Sequence, residues 1–188
     1  MKLHLGSGKR FLSGFKHIDI AEFPHIDHIS SVDSLGFIAE SSVSEIYCSH
    51  TLEYFDRHEV GGVLTGWLRI LEPGGQLFLT VPDFDSLLQV YEKTKSLSSI
   101  IGPLFGRWVN LDSHMPIFHR TVWNEMDLSD KLKEVGFEEI QKFDPVTYLS
   151  AIDIEYDDYS LAYFPHMDRS GIQVSLAISC RRPLIKHD

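Results

Sequence analysis

Two glycines and one acidic residue near the start of the chain have the types and spacing of a nucleoside-binding site. Residues 2–19 (KLHLGSGKRFLSGFKHID) contain two short apolar segments joined by a Gly-Ser-Gly bend. Gly6 and Gly8 allow backbone N–H groups to approach a polar or anionic ligand, because no Cβ stands in the way. Asp19, at the tip of the second segment, can accept hydrogen bonds from both hydroxyls of a ribose.

Other acidic and histidine side chains are candidates for proton transfer. His50 follows a predicted strand, Asp83 follows another, and His114 and His119 flank the sequence MPIF. A histidine titrates near neutral pH and suits the role of a general base. Each candidate also has a structural interpretation: His50 as packing or a polar contact, and Asp83 as a helix N-cap. Glu53 is expected either to contact an amino group of a ligand or to cap a helix.

Three further features have simple interpretations. Asp112, His114 and His119 could form a metal site, but their spacing is not tight, and no metal is predicted.

Cys48 and Cys180 are predicted on strands separated by one other strand, about 9–10 Å apart, which is too far for a disulfide. We expect both to be buried thiols. The aromatic cluster Tyr156, Tyr159, Tyr163 and Phe164, with His166, is interpreted as packing within a lid.

Composition narrows the class of protein. The chain of 188 residues is 43% hydrophobic and 23% charged, as expected for a single globular domain. A net charge of −10 argues against non-specific binding to nucleic acid or anionic membranes. With no apolar run long enough to span a bilayer, no signal-peptide pattern and two cysteines, we expect a cytoplasmic protein.

The pattern of apolar residues predicts strands that alternate with helices. The predicted strands are 2–5, 15–20, 25–30, 43–48, 76–81, 137–143 and 172–180, and the predicted helices are 57–71, 86–94 and 123–135. Residues 9–14 are too few for a full crossover helix. This order predicts an α/β sheet with mostly parallel strands. Ligands bind beyond the carboxyl ends of such strands, where the glycine bend, Asp19, Asp33 and residues 49–53 fall.

With these elements in place, the sequence resembles the class I S-adenosylmethionine-dependent methyltransferases, and in particular a group of small bacterial predicted methyltransferases. The resembling segments are LHLGSG, HIDI, VDSL, IYCSHTLEYF, LRILEPGGQLFLTVPD and LKEVGFEEI. The resemblance implies a Rossmann-like α/β fold with a mostly parallel seven-stranded sheet. The implied strand order is 3-2-1-4-5-7-6, with strand seven antiparallel and helices on both faces.

The resemblance also assigns roles toward the cofactor S-adenosyl-L-methionine. At the adenosine end, Asp19 would hold the ribose hydroxyls, Ile20 would pack on adenine, and Asp33 would accept the adenine amino group, with Ser34 and Leu35 alongside. The residues implied at the methionine end are Gly6, Ser7, Gly8, Ser49, His50 and Glu53.

The sequence departs from the family pattern in ways that bear on the lid. Arg10 stands at the family's third glycine and Tyr54 at its usual histidine. Strand one is predicted to begin at residue 2, so we expect none of the helices that precede it in many relatives. Residues 83–120, residues 144–170 or a second subunit would then supply the lid over the site. A homodimer is therefore an option.

By resemblance, the expected function is methyl transfer from S-adenosylmethionine to a small molecule, such as a sugar or another hydroxylated metabolite of surface-polysaccharide pathways. The candidate catalytic residues are His50, Asp83, His114 and His119. Two alternatives stay open. One is a non-catalytic nucleoside-binding module that kept the fold. The other is a nicotinamide-dependent dehydrogenase, although Phe11 stands where Gly-x-Gly-x-x-Gly needs its third glycine.

Overall fold

The computed structural model describes residues 1–106, 118–151, 163–164 and 170–184. The candidate base His114, its proposed metal partner Asp112 and the side chains of the predicted aromatic cluster at residues 156–166 lie outside the described residues.

Seven strands form the main sheet, in the order β3-β2-β1-β4-β5-β9-β6. They are β1 (Lys2–Leu5), β2 (Phe15–Asp19), β3 (His28–Ile29), β4 (Val43–Ser49), β5 (Leu71–Pro82), β6 (Glu138–Lys142) and β9 (Ser175–Arg181). The first five strands pair in parallel, and β9 pairs antiparallel with both β5 and β6. The predicted sheet order and its antiparallel strand are confirmed.

The predicted last strand, residues 172–180, is in fact two strands. β8 (Ile172–Gln173) pairs with β7 (Tyr163–Phe164) outside the main sheet, and β9 begins only at Ser175. Val174 lies between the two strands. Its carbonyl accepts the N–H of Asp83 at 2.8 Å, and its side chain is buried. The separate pairing of β8 fixes the point at which Ser175 enters the main sheet.

The helices are α1 (Val60–Ile70), α2 (Phe84–Thr94), α3 (Ile101–Phe105), α4 (Glu125–Val135) and α5 (Pro145–Ala151). Asp83 caps α2, as predicted: its carboxylate accepts the Asp85 N–H at 3.2 Å and the Ser86 hydroxyl at 2.7 Å. Gly136 closes α4 in the left-handed conformation, also as predicted. We missed α5, although Asp144 followed by Pro145 is a typical helix start.

The two faces of the sheet are covered differently. One face buries aliphatic side chains such as Leu5 and Ile46 beneath α1 and α4. On the other face, Tyr148 of α5 stacks on Tyr47 and Phe78, with ring centroids 5.3 and 4.3 Å apart. Residues 6–14, between β1 and β2, form turns and contain no helix, as predicted.

The cysteines and the helices agree with two sequence predictions. Cys48 on β4 and Cys180 on β9 are buried and free, and β5 runs between their strands. Within the described ranges, every helix is too short or too polar to span a bilayer.

Candidate active site

The carboxyl ends of the parallel strands lie at one edge of the sheet. Asp19 ends β2, Ser49 ends β4, and Asp83 follows β5. Because β9 is antiparallel, its first residue, Ser175, lies at this same edge, opposite Pro82 of β5. The structure therefore brings residues from four separate parts of the chain to one edge.

Asp19 is fixed by backbone donors on both of its carboxylate oxygens. Oδ2 accepts the N–H of Gly8 at 2.7 Å, and Oδ1 accepts the N–H of Ala21 at 2.8 Å. A carboxylate offers about four acceptor positions, so about two remain for hydroxyl groups of a ligand. The side chain is held in place before any ligand binds.

The two glycines of the bend have different surroundings. The Gly6 N–H donates to the carbonyl of Ile18 at 2.9 Å, and a Cβ on Gly6 would lie 2.1 Å from Thr51 Oγ1. Gly6 thus makes room for Thr51, and its N–H group is not available to a ligand. Gly8 also has a positive φ, of 53°, but nothing lies within 4 Å of where its Cβ would be. Its N–H is bonded to Asp19, and its open side faces space that a ligand can use.

The predicted adenine contacts divide into exposed and buried residues. Ile20 is 52% exposed directly after Asp19, although it is a large apolar side chain. Asp33 and Ser34 are exposed in the loop after β3. Trp67 of α1 anchors this loop, because its indole Nε1 donates a hydrogen bond to the carbonyl of Val32 at 2.8 Å.

Four further predicted cofactor contacts, like Asp19 itself, have side chains that are buried in the protein. Leu35 belongs to the hydrophobic core, Ser7 has no exposed surface, and Ser49 accepts a hydrogen bond from Thr80 Oγ1 at 2.9 Å. Glu53 also has no exposed surface. The pattern of apolar residues in the sequence cannot predict this burial, because three of the four side chains are polar.

The two ring nitrogens of His50 face a serine hydroxyl and a buried carboxylate. Its Nε2 lies 2.8 Å from Ser175 Oγ, and its Nδ1 lies 3.3 Å from Oε1 of Glu53. This order of hydroxyl, imidazole and carboxylate is the one that activates the serine of Ser-His-acid enzymes. It can take a proton from the serine hydroxyl, or from a molecule that is hydrogen-bonded to that hydroxyl.

The backbone of His50 has a conformation that is rare for residues other than glycine. Its φ is +50°, a region that few residues other than glycine adopt. Such a conformation costs on the order of 1–3 kcal/mol and tends to occur at functional positions. The N–H of His50 donates to the carbonyl of Thr80 at 2.9 Å, which ties this turn to β5.

His119 lies on the other side of Glu53. Its Nδ1 is 2.7 Å from the carbonyl oxygen of Pro103, and since a carbonyl only accepts, Nδ1 carries a proton. Its Nε2 is 3.9 Å from Glu53 Oε1. Neither oxygen of Glu53 has a hydrogen-bond partner among the described residues, so a buried carboxylate stands between two imidazole rings. The predicted candidates His50, Glu53 and His119 are thus brought together.

The segment that carries His119 is held against the one that carries Glu53. The N–H groups of Arg120 and Thr121 both donate to the Glu53 carbonyl, at 2.7 and 3.2 Å. The Arg120 guanidinium pairs with Asp56 at 2.6 Å and with Glu59 at 2.8 Å. Paired hydrogen bonds and ion pairs therefore position His119 beside Glu53.

A cavity of about 280 Å³ opens at the start of β9, and Ser175 connects its lining to His50. Its polar lining is Asp83, Ser86, Lys142, Gln173 and Ser175. Because both oxygens of Asp83 already cap α2, the structure assigns this residue a structural contact instead of the role of a base. We did not find Ser175 from the sequence. Its only signal is a polar residue at the start of an apolar strand.

Lys142, in the wall of the cavity, is held in its charged form. It pairs with the Glu125 carboxylate. The hydrogen bond to Glu125 and the negative charges of Glu125, Asp83 and Asp85 raise the pKa of Lys142 above its usual range. Three carboxylates therefore act on one ammonium group at this cavity. Across the described ranges, no three His, Cys, Asp or Glu side chains are arranged to hold a metal ion.

Comparisons with known proteins give the class of fold. No protein-family model and no curated protein matches the sequence, whereas 351 solved chains match the structure. One is a Burkholderia thailandensis 1,6-didemethyltoxoflavin-N1-methyltransferase with bound S-adenosylhomocysteine, with a TM-score of 0.57 and 13% identity over 97% of this chain and 70% of that one.

Two archaeal proteins show the same likeness. A SAM-dependent methyltransferase from Methanosarcina mazei has a TM-score of 0.56 and 17% identity, over 97% of this chain and 92% of that one. Another from Archaeoglobus fulgidus has a TM-score of 0.55 and 12% identity, over 96% and 85%. With the strand order above, the chain has the class I S-adenosylmethionine-dependent methyltransferase fold. At these identities the likeness defines the fold, and the reaction must be argued from the residues at the edge of the sheet.

Proposed function

We propose that this protein is an S-adenosylmethionine-dependent methyltransferase that acts on a small molecule. The observation that carries the proposal is the carboxylate of Asp19, held by the Gly8 N–H at the end of β2 in a class I methyltransferase fold. A preset carboxylate beside an open glycine suits the two hydroxyls of a ribose.

The residues at this edge fit the cofactor. Asp19 would accept the ribose hydroxyls, and the exposed side chain of Ile20 would pack on the adenine ring. Asp33 would accept the adenine amino group, with Ser34 beside it. Gly8 leaves room for the ligand because nothing lies within 4 Å of its missing side chain.

When bound, S-adenosylmethionine supplies a methyl group that is already activated, so the protein mainly has to position the acceptor and remove its proton. The carboxylate of Glu53, 3.3 Å from His50 Nδ1, stabilises the positive charge that His50 gains with a proton. The residues at this half of the edge thus favour an acceptor whose reacting atom carries a proton, such as a hydroxyl group or an N–H group. A sugar or another small hydroxylated metabolite is the acceptor class that we propose.

The two alternative functions have less support. A nicotinamide-binding fold places the pyrophosphate on the N-terminus of a helix after β1, and residues 6–14 form turns here. A module without catalysis would have no use for a histidine that is hydrogen-bonded to a serine and lies 3.3 Å from a buried carboxylate. The bacterial subgroup, a homodimer and a cytoplasmic location stay predictions.

Isothermal titration calorimetry with S-adenosylhomocysteine tests the proposal. We expect the wild-type protein to bind it, and the D19A variant to bind on the order of 100-fold more weakly, because two hydrogen bonds to a charged group are lost at about 1.5 kcal/mol each. D130A removes an exposed aspartate on α4 and is the matched control. No binding to the folded wild-type protein, or equal binding to D19A and D130A, contradicts the proposal.

A further inference from the structure

Ser175 separates the cavity from His50. Ser175 is part of the cavity lining, and its Oγ lies 2.8 Å from His50 Nε2. The nitrogen that a base would present to an acceptor is therefore covered by a hydroxyl group. An acceptor in the cavity can reach Ser175, while the ring of His50 stands behind it.

We propose that the cavity at the start of β9 is the acceptor site and that Ser175 is a catalytic residue that contacts the acceptor and passes its proton to His50. This rests on the proposed function, since it names the acceptor site of that reaction. The acceptor is a small uncharged molecule that carries a hydroxyl or an N–H group.

The proton path is complete at the level of single atoms. The acceptor gives its proton to Ser175 Oγ while the proton of Ser175 passes to His50 Nε2. With the electron pair left by its lost proton, the acceptor bonds the methyl carbon, while the bond from that carbon to the sulfonium sulfur breaks and leaves its electron pair on sulfur. The sulfonium charge is lost and His50 becomes a cation. The negative charge that balances this cation is the Glu53 carboxylate, 3.3 Å from Nδ1. Serine is unchanged at the end of the transfer.

The charges at the cavity select the acceptor. Lys142 is already paired with Glu125, and Asp83 stands in the same wall. The charges of Asp83 and Lys142 balance within this lining, and because Lys142 is already paired with Glu125 it offers little attraction to anionic acceptors such as phosphorylated sugars. Hydroxyl and amide groups of Ser86, Gln173 and Ser175 match a hydroxylated molecule without net charge.

Cysteine substitution tests this without a known acceptor. In S175C the thiol replaces the hydroxyl beside His50, and alkylation by iodoacetamide is followed by mass spectrometry as a function of pH. We expect S175C at about pH 6.5 to react at least about tenfold faster than an ordinary thiol, because His50 stabilises the thiolate. The natural cysteines add little background, since both are buried and burial raises the pKa of Cys180.

S179C is the matched control. Ser179 lies four residues along the same strand and is similarly buried, 6% exposed against 7% for Ser175, but its Oγ contacts the Gln141 carbonyl. S175C/H50N removes the base while asparagine tolerates the positive φ of position 50. We expect S175C/H50N to lose the fast reaction at low pH. If S175C reacts no faster than S179C, does not react at all, or keeps its rate in S175C/H50N, the proposal is wrong.

Two further readouts complete the test. The first readout compares iodoacetate, which is an anion, with the uncharged iodoacetamide. The ratio of the iodoacetate rate to the iodoacetamide rate should be lower for S175C than for glutathione. An equal or higher ratio for S175C contradicts the proposal that the acceptor is uncharged. If circular dichroism shows that S175C does not fold, the test uses S175A instead, and the measurement is the NMR signals of the His50 ring. They should move relative to wild type and S179A, and unchanged signals overturn the contact. Failure of the proposed function appears separately, as absent binding of S-adenosylhomocysteine to wild-type protein.

Discussion

The edge of the sheet has two halves that are built in opposite ways. The nucleoside half, around Gly8 and Asp19, is assembled from residues 11 positions apart, and backbone N–H groups fix its carboxylate. The acceptor half joins His50 to Ser175, which lie 125 positions apart. It also buries Glu53 with no hydrogen-bond partner among the described residues. The first half is formed by local chain geometry, and the second exists only when the whole sheet has formed.

This difference has an energetic side. In the nucleoside half, each carboxylate oxygen of Asp19 has a donor, so the site costs the fold little. In the acceptor half, an unpartnered buried carboxylate costs about 1–3 kcal/mol, and the positive φ of His50 adds to this. Such costs are expected where function and stability conflict.

The largest effect that we expect distinguishes the two glycines of the nucleoside half. G6A places a Cβ 2.1 Å from Thr51 Oγ1 at a φ of +63°. The clash and the strained φ together should lower the free energy of unfolding by about 2–5 kcal/mol. G8A has the strain without the clash and should lose only about 1–2 kcal/mol. Urea unfolding measures both variants.

The double variant G6A/T51G sharpens this test, because it removes the side chain that the new Cβ meets. The alanine at position 6 should therefore lower the free energy of unfolding less in the T51G background than in the wild-type protein. Equal losses in G6A and G8A would show that Thr51 does not set the requirement for glycine at position 6.

An intermediate effect concerns the acceptor half. E53L replaces an unpartnered buried carboxylate with an apolar side chain of similar size. We expect the free energy of unfolding to rise by about 1–3 kcal/mol, and the melting temperature by about 2–4 °C for each kcal/mol. Differential scanning calorimetry measures the change.

E92L, on the exposed face of α2, is the control and should change stability little. A loss of stability in E53L would mean that Glu53 is a paired structural ion, and it would remove the energetic difference between the two halves. A gain of stability together with loss of the low-pH reactivity in S175C/E53L would support a functional role.

The smallest effect concerns pH and the strand that ends in Asp19. His17 is buried, and this burial lowers its pKa below 6.5. Its Nε2 accepts the Leu12 N–H at 2.8 Å, so the folded protein holds the ring neutral. The unfolded chain binds a proton more readily, so the free energy of unfolding falls as the pH drops below about 6.5.

H17Q keeps an oxygen acceptor for Leu12 and cannot take up this proton. Thermal unfolding should therefore show a smaller loss of stability between about pH 7.5 and 5.5 in H17Q than in wild type. Asp27, whose pKa is lowered mainly by the His17 N–H, acts only below about pH 4 and does not interfere. An equal loss in both proteins would show that His17 is not the group that titrates.

By itself, the sequence indicated the strands, the helices and the position of the nucleoside half, whereas the order of the strands followed from the family resemblance. Apolar runs and caps such as Asp83 and Gly136 act over a few residues, so their pattern predicts α2, the end of α4 and the parallel strands. The Asp144-Pro145 start of α5 was also readable and was missed. Asp19 could be placed because the end of a strand is a local property.

Only the tertiary structure decided which side chains meet and which are buried. Gly6 is required by Thr51, and Leu35, Ser49 and Glu53 lie inside the protein. No local pattern encodes these contacts, since they depend on the register of strands far apart in the chain. Ser175 reaches His50 because β9 runs antiparallel and starts where the parallel strands end. A contact across 125 residues is a property of the closed sheet and not of any segment within it.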